Sequence, residues 1–426
     1  MEASYTLDGD TVFFDFKRDE NDDSSIRNLH FSMTDVRPYV KMSRHDMSKE
    51  IHPDLIALSI IMMVNPFVGG ILDLKFDVSK RFLDKVSSVI SRYQVRCQGH
   101  DVTPLEKRGN RPGLAFSGGA DSSAALSVLP KDLCLVFLER PMRTNSHYDS
   151  SAPLEICHRL MEVGYDVSII ETNLEYLREP VGFPTDLANA IPAILHSEEL
   201  ELDSIAFGTV LESAYGIGHE HFTDYSEGSH FRFFSALFES VGLDLNLPTI
   251  GISEVGTAII GHGAPGGSLQ QSCIRGRLFS PCYTCWKCFR KELLNYALGF
   301  TAISPNFQEM MRSNEIQQRL SSFPISHENV ITYSLQRIEL SEINQLKILS
   351  KKLDMRRELS FLEEWYAPSI EFVPRKYRFI VREKIMQYLP AMRLESEELV
   401  TNWQMEEHLS SSSAKLGQER FLKLWK

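Results

Sequence analysis

The sequence lacks any apolar run long enough to cross a bilayer, which takes about 20 residues. Its most apolar stretch, Leu55 to Val64, stops at Asn65-Pro66 and reads as a buried helix. No basic segment followed by an apolar one opens the chain at Met1-Glu2-Ala3-Ser4, so no secretory signal is expected and the chain reads as soluble and cytoplasmic. Basic charge is also short: 45 Lys and Arg face 57 Asp and Glu, a formal net charge of −12. A protein that coats nucleic acid or adheres to an anionic membrane needs the opposite balance, so both partners are disfavoured. Cysteine is scarce, with 7 in 426 residues, which excludes a disulfide-dense scaffold. No internal repeat is apparent. With 43% hydrophobic and 24% charged residues the composition is that of an ordinary globular chain, and its length suits two or three domains.

Three regions follow from the patterning. Residues 1–108 read as an α+β unit, with strands at Thr11–Phe16, Ile71–Phe76 and Tyr93–Cys97 and helices at Leu55–Val64 and Ser79–Ile90. The polar stretch Glu106–Gly113 marks a linker. Residues 109–300 alternate short apolar strands (Leu114–Phe116, Leu133–Leu138, Val167–Ile170, Ser204–Phe207, Leu245–Ile250) with helices (Ser122–Leu129, Ala152–Val163, Leu187–Leu200, Phe231–Val241). That rhythm predicts an α/β fold with a doubly wound parallel sheet, in which ligands bind at the carboxyl ends of the strands. Residues 301–426 read as a helical region, with long helices expected over Ser341–Glu364 and Arg375–Tyr388 and a loop at Ser410–Ser413.

The strongest local signal is Ser117-Gly118-Gly119-Ala120-Asp121-Ser122-Ser123, placed between an apolar strand and a helical segment. Two glycines let the backbone turn sharply and approach an anion. The following helix N-terminus adds partial positive charge, and Ser117, Ser122 and Ser123 add hydroxyl donors. Asp121 suits a phosphate site only if it orients the loop or works beside Mg²⁺. A plain helix N-cap is the simpler alternative. No Gly-Lys-Ser/Thr follows, so the loop is not of the Walker type.

The second signal is Cys273-x8-Cys282-x2-Cys285-x2-Cys288, apart from the scattered Cys97, Cys134 and Cys157. Four thiolates make a closed tetrahedral site, the usual composition of structural zinc. A four-iron cluster is the rival, since Cys-x2-Cys-x2-Cys also occurs in ferredoxin-type runs. Arg275, Arg277, Lys287, Arg290 and Lys291 lie close by and are expected to soften the thiolate charge, with Trp286 and Phe289 packing around the metal.

The seven-residue string resembles the loop of the PP-loop ATP pyrophosphatase superfamily, of adenine nucleotide alpha-hydrolase-like fold. Those enzymes cleave ATP between the α and β phosphates and adenylate a carbonyl or carboxylate oxygen. The resemblance implies an ATP site formed by Phe116, Ser117, Gly118, Gly119, Ala120, Asp121, Ser122, Ser123, Ala124, Ala125 and Leu126, with Ser117, Asp121 and Ser122 in catalytic roles and Mg²⁺ as cofactor. The loop followed by this cysteine spacing resembles the QueC-like 7-cyano-7-deazaguanine synthase family over roughly residues 113–293, which implies Zn²⁺ on Cys273, Cys282, Cys285 and Cys288. Phe183–Ala190 followed by Ile205–Thr209 resembles that family's proline-containing loop, helix and glycine-ended strand. Three departures stand out. The family's Tyr-Gly-Gln-Arg-His segment is replaced by Phe137–Arg143, its Pro-x-Arg-Asn by Pro184-Thr185-Asp186-Leu187 with Asn189 later, and its lysine before the metal is missing from Ile252–Thr257. The added N- and C-terminal regions resemble the layout of its anti-phage, QatC-type branch.

The resemblance implies a ligase that activates a deazapurine carboxylate, 7-carboxy-7-deazaguanine, for attack by an amine, either ammonia or an amine on a partner protein. A tRNA-thiolating enzyme and a degenerate ATP-binding module are the alternative readings. Among lesser features, His219, Glu220, His221, Asp224 and His230 form a polar group that reads as a substrate-covering loop or a metal site. Gly261–Gly267 reads as a mobile loop or a connector, and Arg140 and Arg143 as an anion grip or surface charge.

Overall fold

A computed structural model describes the chain except residues 23–24, 27–28, 43–49, 108, 144–147, 219–220, 265–268, 341–342 and 426. The N-terminal sheet is mixed. Strands β1 (Glu2–Asp8) and β2 (Thr11–Lys17) form a hairpin closed by Gly9-Asp10, with Gly9 at φ +58°. The short β3 (Ser25–Ile26) and β4 (Leu29–Met33) make a separate ribbon. β5 (Tyr39–Lys41) pairs antiparallel with β2, while β6 (Ile71–Leu74) and β7 (Gln94–Cys97) extend the sheet in parallel, giving the order β5-β2-β1-β6-β7. Helix α1 (Pro53–Val64) is buried on all sides, as its unbroken apolar run requires. Its buried Asp54 is satisfied by Ser79 N and Oγ at 2.8 and 2.7 Å. Ser79 in turn caps α2 (Lys80–Val89), which buries Phe82 and Val86.

The central sheet is parallel throughout. β8 (Arg111–Phe116), β9 (Cys134–Glu139), β10 (Asp166–Glu171), β12 (Leu202–Ala206) and β13 (Asp244–Asn246) lie in the order β10-β9-β8-β12-β13, and β11 (Arg178–Glu179) joins β4 instead. Both faces are covered. Leu114 and Phe116 point to one core, which also holds Ala124 and Ala125 of α3 (Ala120–Val128) and Ile156 of α4 (Ser151–Glu162). The alternate Ala115 points to the other, with Ile191 of α5 (Ile191–Leu195), Leu211 of α6 (Leu211–Tyr215) and Phe238 of α7 (Ser229–Ser240). α8 (Glu254–Gly263) packs on α3, and α9 (Trp286–Ala297) follows the cysteine cluster.

The C-terminal segment contains α10 (Phe307–Met310), α11 (Asn314–Ser321), α12 (Glu328–Gln336), α13 (Asn344–Ser350), α14 (Arg378–Ile385), α15 (Leu394–Thr401), α16 (Glu406–Ser410) and α17 (Ser412–Leu424), with short 3-10 turns. Leu55, Ile191, Tyr333 and Trp403, drawn from all three sequence regions, share one core. A separate core joins Cys273, Cys285 and Cys288 to Phe307, Leu320, Leu346 and Phe421.

Several elements differ from expectation. Leu187–Leu200 is a 3-10 turn and the short α5, because Pro192 has no N–H to continue a helix from Ala188. The strand expected to Ile250 ends at Asn246, two residues before Pro248. The helix expected over Ser341–Glu364, whose first two residues lie outside the described residues, is confined to α13. After α13 the chain turns, and the buried Lys352 donates to the carbonyls of Leu320 and Ser322, satisfying the end of α11. Arg375–Tyr388 opens with a 3-10 turn before α14. The serine run is helical apart from Ser411, whose hydroxyl caps α17 by accepting from Ala414 N at 3.2 Å. Among the described residues no helix is long and apolar enough to cross a membrane.

Candidate functional site

The sheet order reverses between β8 and β12, and the loop after β8 opens at that switch point. Phe116 is buried at the strand end and Ser117 is exposed. Gly118 is left-handed at φ +72°, and a Cβ there would also crowd Ile156 at 3.3 Å. Gly119 is the N-cap of α3, and Asp121 lies in the first turn. On the far side, a Cβ on Gly208 would come within 2.6 Å of the Asp121 backbone, so only glycine lets the segment after β12 pass beneath the loop.

Hydroxyls brace the loop from inside. Ser122 Oγ accepts from Ser117 N at 3.3 Å, donates to Gly119 O at 3.1 Å and meets Ser117 Oγ at 3.1 Å. Gly119 N donates to Ser117 Oγ at 3.3 Å, and Ala120 N to Ser272 Oγ at 3.3 Å. Such long bonds are the kind an incoming anion oxygen replaces readily. Ser122 therefore staples the loop from a buried position. Ser123 faces a cavity of about 180 Å³ between α3, α4, α8 and α14. Phe116, Ala124, Ala125 and Leu126 belong to the apolar core beside it.

Under the loop lies a group of charges from separate elements. Asp121 Oδ1 accepts from Thr257 Oγ1 at 2.8 Å, and Lys291 Nζ stands 3.9 Å from the same oxygen. Glu254 begins α8 behind its N-cap Ser253, where an acid favours the helix dipole. It pairs with Arg290, with Lys291 at 3.3 Å and with His327 Nε2 at 3.3 Å. Burial opposes its ionisation, but Lys291, Arg290 and His327 outweigh that and hold its carboxyl well below the usual range. Burial likewise opposes the charge on Lys291, yet Glu254 and Asp121 move it upward overall. Glu212 on α6 accepts Glu254 N on both oxygens, at 3.1 and 3.0 Å. Burial, then the nearby Glu254 charge, pushes Glu212 up to about 8. Lys291 Nζ is shielded from solvent, with the carboxylates of Glu254 and Asp121 as its ionic partners.

The four cysteine sulfurs all lie within 4.8 Å of one another, with 282–288 at 3.8 Å and 285–288 at 3.5 Å. Zn–S bonds of about 2.3 Å in a tetrahedron place sulfurs roughly 3.8 Å apart, so the set fits one zinc ion. A four-iron cluster seats each cysteine on a different iron and spreads the sulfurs further. Thiols so close cannot all ionise without a cation: Cys273 is pulled down by hydrogen bonds from Cys285 and Cys288, while Cys288 is driven up. Tyr283, left-handed at φ +54°, makes the turn between Cys282 and Cys285. Cys282 N and Thr284 Oγ1 each donate to a sulfur at 3.4 Å. Trp286 and Phe289 stack at 5.4 Å in the same core, as expected. Of the nearby basic residues, Arg275 pairs with Glu315 at 2.7 Å and also faces the charges of Cys285 and Cys282, as expected, whereas Arg290 and Lys291 turn to Glu254.

His221 and His230 have separate partners. His230 binds Asp186 at 3.1 Å and Tyr225 at 2.8 Å, His221 pairs with Glu406 at 3.4 Å, and His219 and Glu220 lie outside the described residues. Among the described residues the cysteines are the one metal-compatible group. Gly261, His262 and Gly263 end α8, with His262 stacked on Phe300 at 3.9 Å, while 265–267 lie outside the described residues. Arg140 is neither an open anion grip nor a surface charge, being buried, paired with Glu175 at 2.9 Å and stacked on Tyr148 at 3.9 Å. Arg143 covers Tyr176 at 3.6 Å.

A family model described as a family of unknown function (DUF6395) matches residues 233–404. That span carries the four cysteines, Glu254, Arg290, Lys291 and His327, but not the loop at Ser117–Ser123. No curated protein and no solved structure matches the chain. The joint role of Glu212, Glu254, Lys291 and His327 was missed from sequence. The one local signal was Arg290-Lys291, about one helical turn after Cys288.

Proposed function

We propose that the chain is an ATP-dependent adenylating ligase of the PP-loop, QueC-like kind, with ATP phosphates held at Ser117–Ser123. The observation that carries this reading is the loop's position, between β8 and the N-terminus of α3 at the switch point of a parallel sheet. A carboxylate oxygen attacks the α-phosphorus, the α–β bond breaks, and pyrophosphate leaves with the bonding pair. An amine then displaces AMP from the acyl adenylate and loses a proton, leaving an amide. Asp121, half exposed at the loop, would hold Mg²⁺, which would offset the charge of the phosphates. Four cysteines hold zinc as a structural ion. The substrate is a deazapurine carboxylate, 7-carboxy-7-deazaguanine, and the acceptor is ammonia or an amine on a partner protein. Mass spectrometry after incubation with ATP and the deazaguanine acid, with and without ammonia, tests this. AMP together with an amide or nitrile supports it, and unconsumed acid under every condition refutes it.

A further inference from the structure

Both arms of the cysteine knot end against the phosphate loop. The first arm reaches it just before Cys273. Gln271 N donates to the carbonyl of the left-handed Gly118 at 2.8 Å, and Ser272 Oγ accepts from Ala120 N at 3.3 Å. The Gln271 side chain donates to the carbonyls of Cys273 and Gly276 at 3.3 and 2.9 Å, so this wall is braced on the knot itself. The second arm is α9. Cys285 is its N-cap, Cys288 lies in its first turn, and Lys291 follows three residues later on the same face. From there Lys291 Nζ stands 3.9 Å from Asp121 Oδ1 and 3.3 Å from Glu254 Oε2.

We propose that the metal-holding knot sets the shape and charge of the phosphate loop, with Ser272 and Lys291 as the positioning residues that carry the effect. This rests on the reading of Ser117–Ser123 as a phosphate site. Cys273 and the 282–288 run stand at the two ends of one short stretch that no disulfide joins, so a shared ion would add the strongest tie to the Cys282 N–Cys273 Sγ hydrogen bond between them. With the ion bound, the first arm walls the loop at Gly118 and Ala120 while the second keeps an ammonium beside Asp121. When the ion leaves, the arms move independently. The loop then loses a wall, and the site loses an ammonium that complements phosphate charge beside Asp121.

The test uses the full chain loaded with zinc and inorganic pyrophosphate with Mg²⁺ as the probe. Calorimetry gives the affinity, and hydrogen exchange reports on residues 117–122. Stripping the zinc with a mercurial and a chelator is expected to weaken pyrophosphate binding at least ~10-fold and to deprotect 117–122, and zinc added back should restore both. Because stripping also endangers the fold, a second arm keeps the metal. Ser272→Ala should retain one zinc and an unchanged melting temperature, and Lys291→Met should retain one zinc with a lowered melting temperature, while each, measured well below its melting point, weakens pyrophosphate about 3- to 10-fold, as loss of a charge-assisted contact would. Lys291→Arg and Ser272→Thr should recover most of the affinity, which a purely structural role does not predict. Full affinity in the stripped protein and in both variants, with Ser117→Ala still weakening it, overturns the coupling alone. No pyrophosphate binding by the loaded wild type overturns the phosphate-site reading and this inference with it.

Discussion

The loop and the charged group beneath it are neighbours built on opposite plans. Ser117–Ser123 is one contiguous string braced by its own backbone and hydroxyls and walled on one side by Gln271 and Ser272, with Asp121 half exposed at its rim. The group below is gathered from α6, α8, α9 and residue 327, and within it Glu254, Glu212 and Lys291 have their ionisation shifted by burial and by their neighbours. A loop braced largely from within is free to specialise for a ligand at little cost to folding. Buried charges assembled from distant segments are tied to folding, because removing one strands its partners. Loop variants should therefore lose function and keep stability, whereas variants of the buried group should lose stability first.

The sharpest break of that contrast is Glu254→Gln. It leaves Arg290 and Lys291 buried without their carboxylate and is expected to cost about 3–5 kcal/mol, read by chemical denaturation. A cost near zero would show that the group is as dispensable to folding as the loop. Asp121→Asn should reduce pyrophosphate release about 10²–10³-fold, the scale of losing a group that stabilises transition-state charge, with the melting temperature unchanged. Ser117→Ala should act in the same direction and more weakly. An unfolded Asp121→Asn protein would erase the difference between the two regions. Cys285→Ser should lower zinc content, measured by elemental analysis, and solubility together. The smallest effect concerns pH. Glu212 holds its proton in the folded state up to about 8, against an ordinary 4.5 unfolded, so its contribution is complete below 4.5 and is lost as pH rises through 8. Glu212→Gln should flatten that decline in denaturation curves taken between pH 5 and 9. An unchanged slope would place the titration elsewhere.

The loop was legible because its information is local: two glycines, three serines and an aspartate between a strand and a helix state their own geometry. The cysteine knot was legible for the same reason, its spacing fixing which sulfurs meet. The parallel sheet was readable in outline from strand and helix alternation, and Leu114, Ala115 and Phe116 face alternate cores. The lengths of α5 and β13 were misjudged because Pro192 and Pro248 act on a backbone that hydrophobic patterning does not see. The buried charges were illegible for a different reason. Glu212 and Lys291 are far apart in sequence, and single charged residues read as solvated surface until the fold closes over them.

The central claim, that Ser117–Ser123 holds ATP for cleavage between its α and β phosphates, is tested most directly by identifying the nucleotide products. Zinc-loaded protein, Mg²⁺, ATP and the deazaguanine acid should yield AMP and pyrophosphate in equal amounts, with Asp121→Asn nearly silent. ADP and orthophosphate, or AMP formed equally well by Asp121→Asn, would contradict it.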